Sequence, residues 1–531
     1  MSITKLLLFS TKSFLKPDMY KKKDDVNELV QALSNGEQRH FHRLYNTESD
    51  VDKPANFWLL YEAIRSGKSQ YSNLEMDARA QTSGKRLLYD NLLKSLRSLH
   101  ENASIDISIQ NLLTNVELLY NHSLAEQARL MLHKAYTLAV KHEKFGLHIQ
   151  ALDWEKRLNI VITQNTRTID VLMEEERAVI KQMMQMKNLE SIYSHILTLK
   201  RQYGYARGAV KDILYRETIQ SSLMPKLEDC LSKKAVYYYN LILAVYYWMT
   251  FEHEPAFRHS KQLTRTNECN VLPNDYIGGL LQHITSSVCV IRFEEAIATI
   301  HQSEAYINEN KLNQSLPFTH LMLTYHSIYK MIVYNYMGDE SRLRVIVTET
   351  ERLLQVHQQS LPFTNRQVIL ANLMNSYLGL NEMDQCEAAW DQLFNKQSKT
   401  IRLDIYGDLY LFRLFLLLQD KNFSVLQSAA HSASKFFKKH FDESNQFELE
   451  LSLANKLKKD LNLERPKIFN SVLLELKTTV LQYIKKLAAP FSFQEHYTRY
   501  VIWADALIEQ VPYTVIAHRW YITVKKQLPT V

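Results

Sequence analysis

Glycine and proline are scarce in this sequence, with 11 of each in 531 residues. Each makes up about 2% of the chain, against a usual ~7% for glycine and ~5% for proline. Strand-rich folds and glycine-rich phosphate loops both depend on tight turns built from these residues. The composition therefore argues against both classes and predicts an all-α protein with long helices and short connections. A chain of this length also exceeds a single compact core, so it must form several domains or an elongated repeat.

Cysteine and long apolar runs are also lacking. The four cysteines, Cys230, Cys269, Cys289 and Cys386, are scattered without Cys-x-x-Cys spacing, which argues against a disulfide framework and a zinc site. No apolar run reaches the ~18–20 residues that a membrane helix needs. The apolar block at 6–9 is too short for a signal peptide. We therefore expect a cytoplasmic protein, whose chain starts at either Met1 or Met19.

No motif for catalysis or cofactor binding is found in the sequence. His40 and His42 are two residues apart and would diverge on a helix, whereas helical metal ligands are three or four residues apart. Gly67-Lys68-Ser69 lacks the upstream glycine of a phosphate-binding loop. The expectation is a non-enzymatic protein without catalytic residues, cofactor or metal.

What the sequence does contain is a repeated pattern of helical hairpins, clearest over residues 364–394. There Leu370, Leu373, Met374 and Tyr377 share one helical face, and a polar turn leads to a second amphipathic helix. The second-helix pattern is also seen at Ala128, Leu132 and Ala135. It recurs at Ala256, Ala296, Leu343, Cys386 and Leu426. The double glycine Gly278-Gly279 is expected to let a neighbouring helix pack closely.

These hairpins resemble tetratricopeptide (TPR) repeats, although their spacing is longer than the usual 34 residues and less regular. The resemblance implies an irregular TPR-like α-solenoid, a stack of antiparallel hairpins. The amino-terminal region is similar to a group of large, uncharacterised bacterial TPR-like proteins. The residues that carry this similarity are Leu33, Ser34, Glu37, Arg39, Phe41, Leu59, Leu60, Tyr61, Glu62, Ala63 and Ile64.

Four regions are predicted along the chain. They are a basic, disordered segment (1–23), a helical cap (24–80), the hairpin repeats (81–441) and a helical capping region (442–531). Residues 1–23 hold six lysines against one aspartate, and residues 431–531 hold fifteen Lys and Arg against ten Asp and Glu. The net charge of +7 therefore lies mainly at the two ends.

The function expected from the TPR resemblance is a scaffold or adaptor that binds a protein or peptide in a concave groove lined by first helices. The resemblance assigns four residues to this groove, namely Tyr238, Tyr325, Asn335 and Asn375. An asparagine amide can pair with a peptide backbone, but ordinary core or surface positions are the alternative for each residue. The alternative function is a nucleic-acid-associated regulator that uses the basic ends, which is less favoured because no concentrated basic face is evident.

Overall fold

The computed structural model describes residues 25–45, 56–66, 77–99, 104–162, 167–206, 209–265, 271–314, 316–358, 360–394, 403–440, 447–459, 462–487 and 495–527. Within these ranges the regular structure is helical and no strand occurs, so the all-α prediction is confirmed. No helix in these ranges is both long and apolar enough to cross a membrane. The chain divides into two compact units, Met1–Glu176 and Arg177–Val531. The four-region division stays a prediction, and its basic segment 1–23 lies outside the described residues.

The first unit contains seven helices within the described residues and the start of an eighth. They are α1 (Asp25–Ala32), α2 (Asn35–Tyr45), α3 (Asn56–Arg65), α4 (Ala78–Leu99), α5 (Ile105–Asn121), α6 (Ala125–Lys141), α7 (Phe145–Val161) and α8 (Ile169–Tyr203).

The second unit contains the rest of α8 and the helices that follow it. They are α9 (Ala209–Thr218), α10 (Lys233–Met249), α11 (His253–Leu263), α12 (Pro273–Cys289), α13 (Phe293–Glu309), α14 (Leu316–Leu321), α15 (Ser327–Met337), α16 (Glu340–Val356), α17 (Phe363–Gly379), α18 (Met383–Phe394), α19 (Leu403–Gln419), α20 (Phe423–His440), α21 (Glu448–Leu457), α22 (Pro466–Leu487), α23 (Glu495–Glu509) and α24 (Tyr513–Lys525). A π-helical segment, Met322–His326, joins α14 to α15.

A capping box begins α2, as the Ser34/Glu37 pair in the sequence predicts. The Glu37 amide donates to Ser34 Oγ at 3.3 Å, and the Ser34 amide donates to a Glu37 carboxylate oxygen at 2.7 Å. Two backbone donors that the helix itself cannot satisfy are thereby paired. The helix then buries Phe41 against Leu60 and Tyr61 of α3. The family implied by the amino-terminal resemblance stays an expectation.

One turn geometry is repeated in hairpin after hairpin. After the first helix, one residue has positive φ, and the next amide donates to the carbonyl oxygen five residues earlier at 2.8–2.9 Å. This is the Schellman arrangement, which satisfies carbonyls that a helix end leaves unpaired. The positive-φ residues of these turns are Ser123, Glu143, Phe251, Ile291, Gly338, Asn381 and Lys421. The chain therefore makes its turns with few glycines by accepting side chains in the left-handed region.

The second-helix residues that mark the repeat in the sequence all lie in the core. Each comes five residues after a positive-φ turn residue, and none is more than 3% exposed. Because these side chains are small or completely buried, neighbouring hairpins can stack closely. Each hairpin thereby completes the apolar core of the next one. The residues concerned are Ala128, Ala256, Ala296, Leu343, Cys386 and Leu426.

The first helices of the second unit lie side by side. Helix α10 contacts α12, α12 contacts α15, and α15 contacts α17. We call the surface formed by α10, α12, α15 and α17 the first-helix face. The last two helices within the described residues return to the hairpins. Helix α24 packs against α15 and α17, and the aromatic residues of α23 pack against Phe415 of α19. Capping by residues 442–531 stays a prediction, and the structure shows in addition that α24 lies on the first-helix face.

Candidate binding surface

Tyr238, the first of the four residues assigned to the groove, is part of the core. Its side chain is 8% exposed, and its ring packs edge-on against Tyr193 of α8. The Tyr238 hydroxyl donates to a carboxylate oxygen of Asp275 at 3.0 Å. Burial raises the pKa of Asp275, and the hydrogen bond from Tyr238 acts in the opposite direction. The groups through which Tyr238 would hold a peptide are therefore already engaged by the protein itself.

Asn335 and Asn375 are brought together, and Asn335 is buried whereas Asn375 is partly exposed. Asn335 is 5% exposed, and its amide nitrogen donates to the backbone carbonyl of Asn375 at 3.2 Å. The side-chain oxygen of Asn375 accepts a hydrogen bond from Arg499 of α23 at 2.9 Å. A cavity of about 10 Å³ lies between these residues and Tyr513, which is room for about one water molecule. The amide nitrogen of Asn335 and the side-chain oxygen of Asn375 are therefore already engaged by the protein itself.

Arg499 and Asp408 form the principal interaction that holds α23, and the sequence analysis missed both residues. The guanidinium pairs with the Asp408 carboxylate, and the two side chains are only 5% and 11% exposed. Tyr500 donates its hydroxyl to the same carboxylate at 3.3 Å. Arg499 and Asp408 are 91 positions apart in the chain, so no short sequence motif contains both. The local sequence signal is an arginine that directly precedes the apolar and aromatic run Tyr500–Trp503.

Tyr325 is the one assigned residue that faces solvent. It is 46% exposed and lies in the π-helical segment Met322–His326. Such segments widen the helix by one residue per turn and are frequent at functional sites. On either side of Tyr325, the buried Thr324 and His326 face the hairpin core.

Hydroxyl and amide groups surround Tyr325 on the first-helix face. Tyr329 and Thr285 bring their hydroxyl oxygens to within 2.5 Å of each other, which joins α15 to α12. Asn365 of α17 donates its amide to Thr324 Oγ1 at 3.3 Å. Thr285, Tyr329 and Asn365 are each partly exposed. We call Thr285, Tyr325, Tyr329 and Asn365 together the Tyr325 strip.

Two clusters of serine, histidine and glutamate lie between hairpins. His283 contacts Ser260 Oγ at 3.0 Å and Glu295 at 3.3 Å. His326 contacts Ser303 Oγ at 3.1 Å and lies 3.7 Å from Glu304. The residue types are those of a hydrolase triad, but both serines are fully buried. A substrate cannot reach them, so their geometry favours a structural role in joining successive hairpins.

Stability should depend on pH through Glu304. Burial acts to raise the pKa of this carboxyl, but His326 and Lys330 outweigh it and lower the pKa to about 2 from its ordinary 4.5. A carboxyl with a lowered folded-state pKa contributes stability above its unfolded pKa and loses it as the pH falls towards the folded value. The stability difference between wild type and Glu304→Gln should therefore shrink as the pH falls from about 4.5 to about 2. Urea unfolding across this range measures it, and a difference that does not change with pH would contradict the assignment.

Metal binding finds no support in the described part of the chain, where no group of three His, Cys, Asp or Glu side chains is placed to hold an ion. His40 and His42, the densest histidine pair, contact Arg43 and Arg65. Of the carboxy-terminal lysines, Lys456 pairs with a glutamate of α22, and Lys486 pairs with a glutamate of α21. Such ion pairs on a surface are ordinary features of solvated helices.

The fold and this surface define an all-α protein built from stacked helical hairpins. A comparison with protein-family models and a comparison with curated protein sequences both find no match.

Proposed function

We propose that the second unit is a non-enzymatic binding module and that a segment of another protein binds its first-helix face at the Tyr325 strip. The observation that best supports this proposal is that Tyr325 is 46% exposed on a face where most other large side chains are buried or partly buried. Tyrosine offers a large apolar ring and a hydroxyl at low entropic cost. The amide of Asn365 and the hydroxyl groups of Thr285 and Tyr329 are suited to pair with peptide groups.

The chain's own helices give further support. Helix α24 packs on this face against α15 and α17. It is also held through aromatic stacking and an ion pair with the start of α13 and through a hydrogen bond to the backbone carbonyl of Met337. A surface that recognises a helix of its own chain in this way has the chemistry to recognise a segment of another protein.

A photo-crosslinking amino acid at position 325 tests the location of the site. Val345, which lies on second helix α16 and is 68% exposed, provides the matched control position. We expect one adduct of defined mass from position 325 in native lysate and none from position 345. Adducts of equal yield from both positions would show that crosslinking is nonspecific and would contradict a binding site at Tyr325.

The Tyr325→Ala variant should weaken capture of that partner by about tenfold, which corresponds to about 1.4 kcal/mol of binding free energy. The change removes an exposed ring, so stability should stay within about 0.5 kcal/mol of wild type. Val345→Ala should leave capture unchanged. Capture is to be repeated with nuclease and at two salt concentrations, because loss under either condition would instead favour the nucleic-acid alternative.

A further inference from the structure

The carboxy-terminal half of α24 is held by an acidic and aromatic site. The Tyr521 hydroxyl donates to a Glu294 carboxylate oxygen at 2.7 Å, and the Lys525 ammonium pairs with the same oxygen. The Tyr521 ring stacks on Phe293, with centroids 5.2 Å apart. Tyr521 and Lys525 are four residues apart and therefore lie on one side of the helix. An aromatic residue followed one turn later by a basic residue is thus what this end of the site selects.

The part of α24 from Thr514 to Trp520 is held at the end of α15. His518 contacts the carbonyl oxygen of Met337 at 2.9 Å through Nδ1. Trp520 packs against Tyr336, with ring centroids 5.7 Å apart. The backbone of α24 comes so close to Gly338 that a Cβ built there would lie 2.3 Å from the Thr514 carbonyl oxygen.

The close approach of α24, and not the conformation of the turn, requires glycine at position 338. At the equivalent turn position, six other hairpins in the described part of the chain carry Ser, Glu, Phe, Ile, Asn or Lys at φ between 48° and 65°. The turn therefore accepts side chains. Glycine stands at 338 because the backbone of α24 fills the space that a Cβ would need. The site is built to receive a helix in close contact.

The ion pairs that hold α23 and α24 differ in burial. The Arg499–Asp408 pair of α23 is nearly inaccessible, whereas the Lys525–Glu294 pair of α24 is about half exposed on both partners. Exposed ion pairs contribute little to stability, and breaking a buried one is costly. Between the helices, Gln510 has φ of 56° and precedes Val511 and Pro512. Helix α24 also buries Tyr513, Ile516, Ala517 and Tyr521 in the core, so the site that it fills is apolar as well as acidic. The turn at Gln510 is where α24 would separate from α23.

We infer that α24 is a resident occupant of a helix-binding site, and that the natural partner is a segment of another protein that replaces it. The partner segment is an amphipathic helix carrying an aromatic residue and, one turn later, a basic residue. This inference rests on the proposed function, because the partner binds the same first-helix face. The apparent affinity for the partner segment is the intrinsic affinity of the site multiplied by the fraction of molecules in which α24 is detached.

Hydrogen exchange on the wild-type protein is the first test. If α24 detaches as a unit, its amides exchange at least about tenfold faster than those of α15, α17 and α23. Equal protection in α15 and α24 would show that α24 opens only with the whole unit, and would overturn the inference. This measurement needs no variant that fails to fold.

Binding of a peptide in trans is the second test. A fluorescent peptide with the sequence of residues 511–527 is titrated into the full-length chain. The double variant Tyr521→Ala/Lys525→Glu weakens the resident helix and leaves the site intact, so it should bind this peptide at least about tenfold more tightly than wild type. A further Gly338→Asn change, which tolerates the turn but places a Cβ against the helix backbone, should abolish binding.

The outcomes of the peptide titration separate the inference from the proposed function. Equal binding to wild type and the double variant, or binding that survives Gly338→Asn, would overturn the inference whatever is captured at Tyr325. Peptide binding as expected, together with no adduct at position 325, would place the failure in the Tyr325 strip. If the double variant forms dimers by exchanging α24, the site belongs to a second copy, and the assignment to another protein is wrong.

Discussion

Replacement of Arg499 by alanine is expected to lower the free energy of unfolding of the second unit by about 3–5 kcal/mol, the usual cost of breaking a buried ion pair. The change removes the Arg499 guanidinium from the Asp408 carboxylate, which is 11% exposed. It also removes the donor to the side chain of Asn375. Urea unfolding followed by far-UV circular dichroism measures the change.

The control is Arg519→Ala. Arg519 also pairs with a carboxylate, that of Glu509, but both side chains are about half exposed, so a loss of at most about 1 kcal/mol is expected. The double variant Arg499→Met/Asp408→Leu should recover most of the lost stability, because apolar residues of similar volume avoid the desolvation cost. A loss for Arg499→Ala no larger than that for Arg519→Ala would show that the pair does not anchor α23.

Alanine substitution at the two adjacent glycines of α12, Gly278 and Gly279, should change the free energy of unfolding in opposite directions. Nothing lies within 4 Å of a Cβ built on Gly278, so Gly278→Ala should stabilise by about 1 kcal/mol through helix propensity. A Cβ built on Gly279 would lie 2.2 Å from the Tyr237 hydroxyl oxygen and 3.2 Å from Leu263 Cβ. Because Tyr237 is 1% exposed and donates to the Asp275 carbonyl at 2.7 Å, it cannot easily move aside. Gly279→Ala should cost about 1–3 kcal/mol.

Each glycine variant is the control for the other, since both make the same chemical change in the same helix. Thermal and urea unfolding should separate them by about 2–4 kcal/mol, the sum of the propensity gain and the packing cost. The expectation that Gly278-Gly279 allows close helix packing would then apply to Gly279 alone. Equal effects of the two substitutions would contradict the packing explanation.

The hairpin architecture could be predicted because it is encoded locally. The apolar spacing within each helix and the recurrence of Ala256, Ala296, Leu343, Cys386 and Leu426 identify the second helices, and all five are buried. The turn before each of these residues uses backbone hydrogen bonds only five residues apart. Short-range periodicity carries this information in the sequence itself.

The arrangement of the candidate site could not be predicted in the same way. Arg499 contacts Asn375, which lies 124 positions earlier in the chain. Lys525 contacts Glu294, which lies 231 positions earlier. Nothing in a helical repeat pattern specifies that the chain returns to its own first helices, because solenoid repeats normally contact only their neighbours. The placement of a binding groove on first helices stays a prediction. Of its four residues, Tyr238, Asn335 and Asn375 are engaged by the protein itself, whereas Tyr325 is exposed.

The return of α24 to Glu294 also affects the order in which the chain can fold during translation. Domains and repeats generally fold in the order of their synthesis. The hairpins from α12 to α16 are synthesised well before Tyr521 and Lys525, and their first-helix surface is exposed to water until then. Tyr521 and Lys525, which follow Glu294 by 227 and 231 residues, therefore contact a surface that is synthesised long before them. Until α24 is made, Glu294 and the end of α15 lack the helix that packs on them in the folded protein.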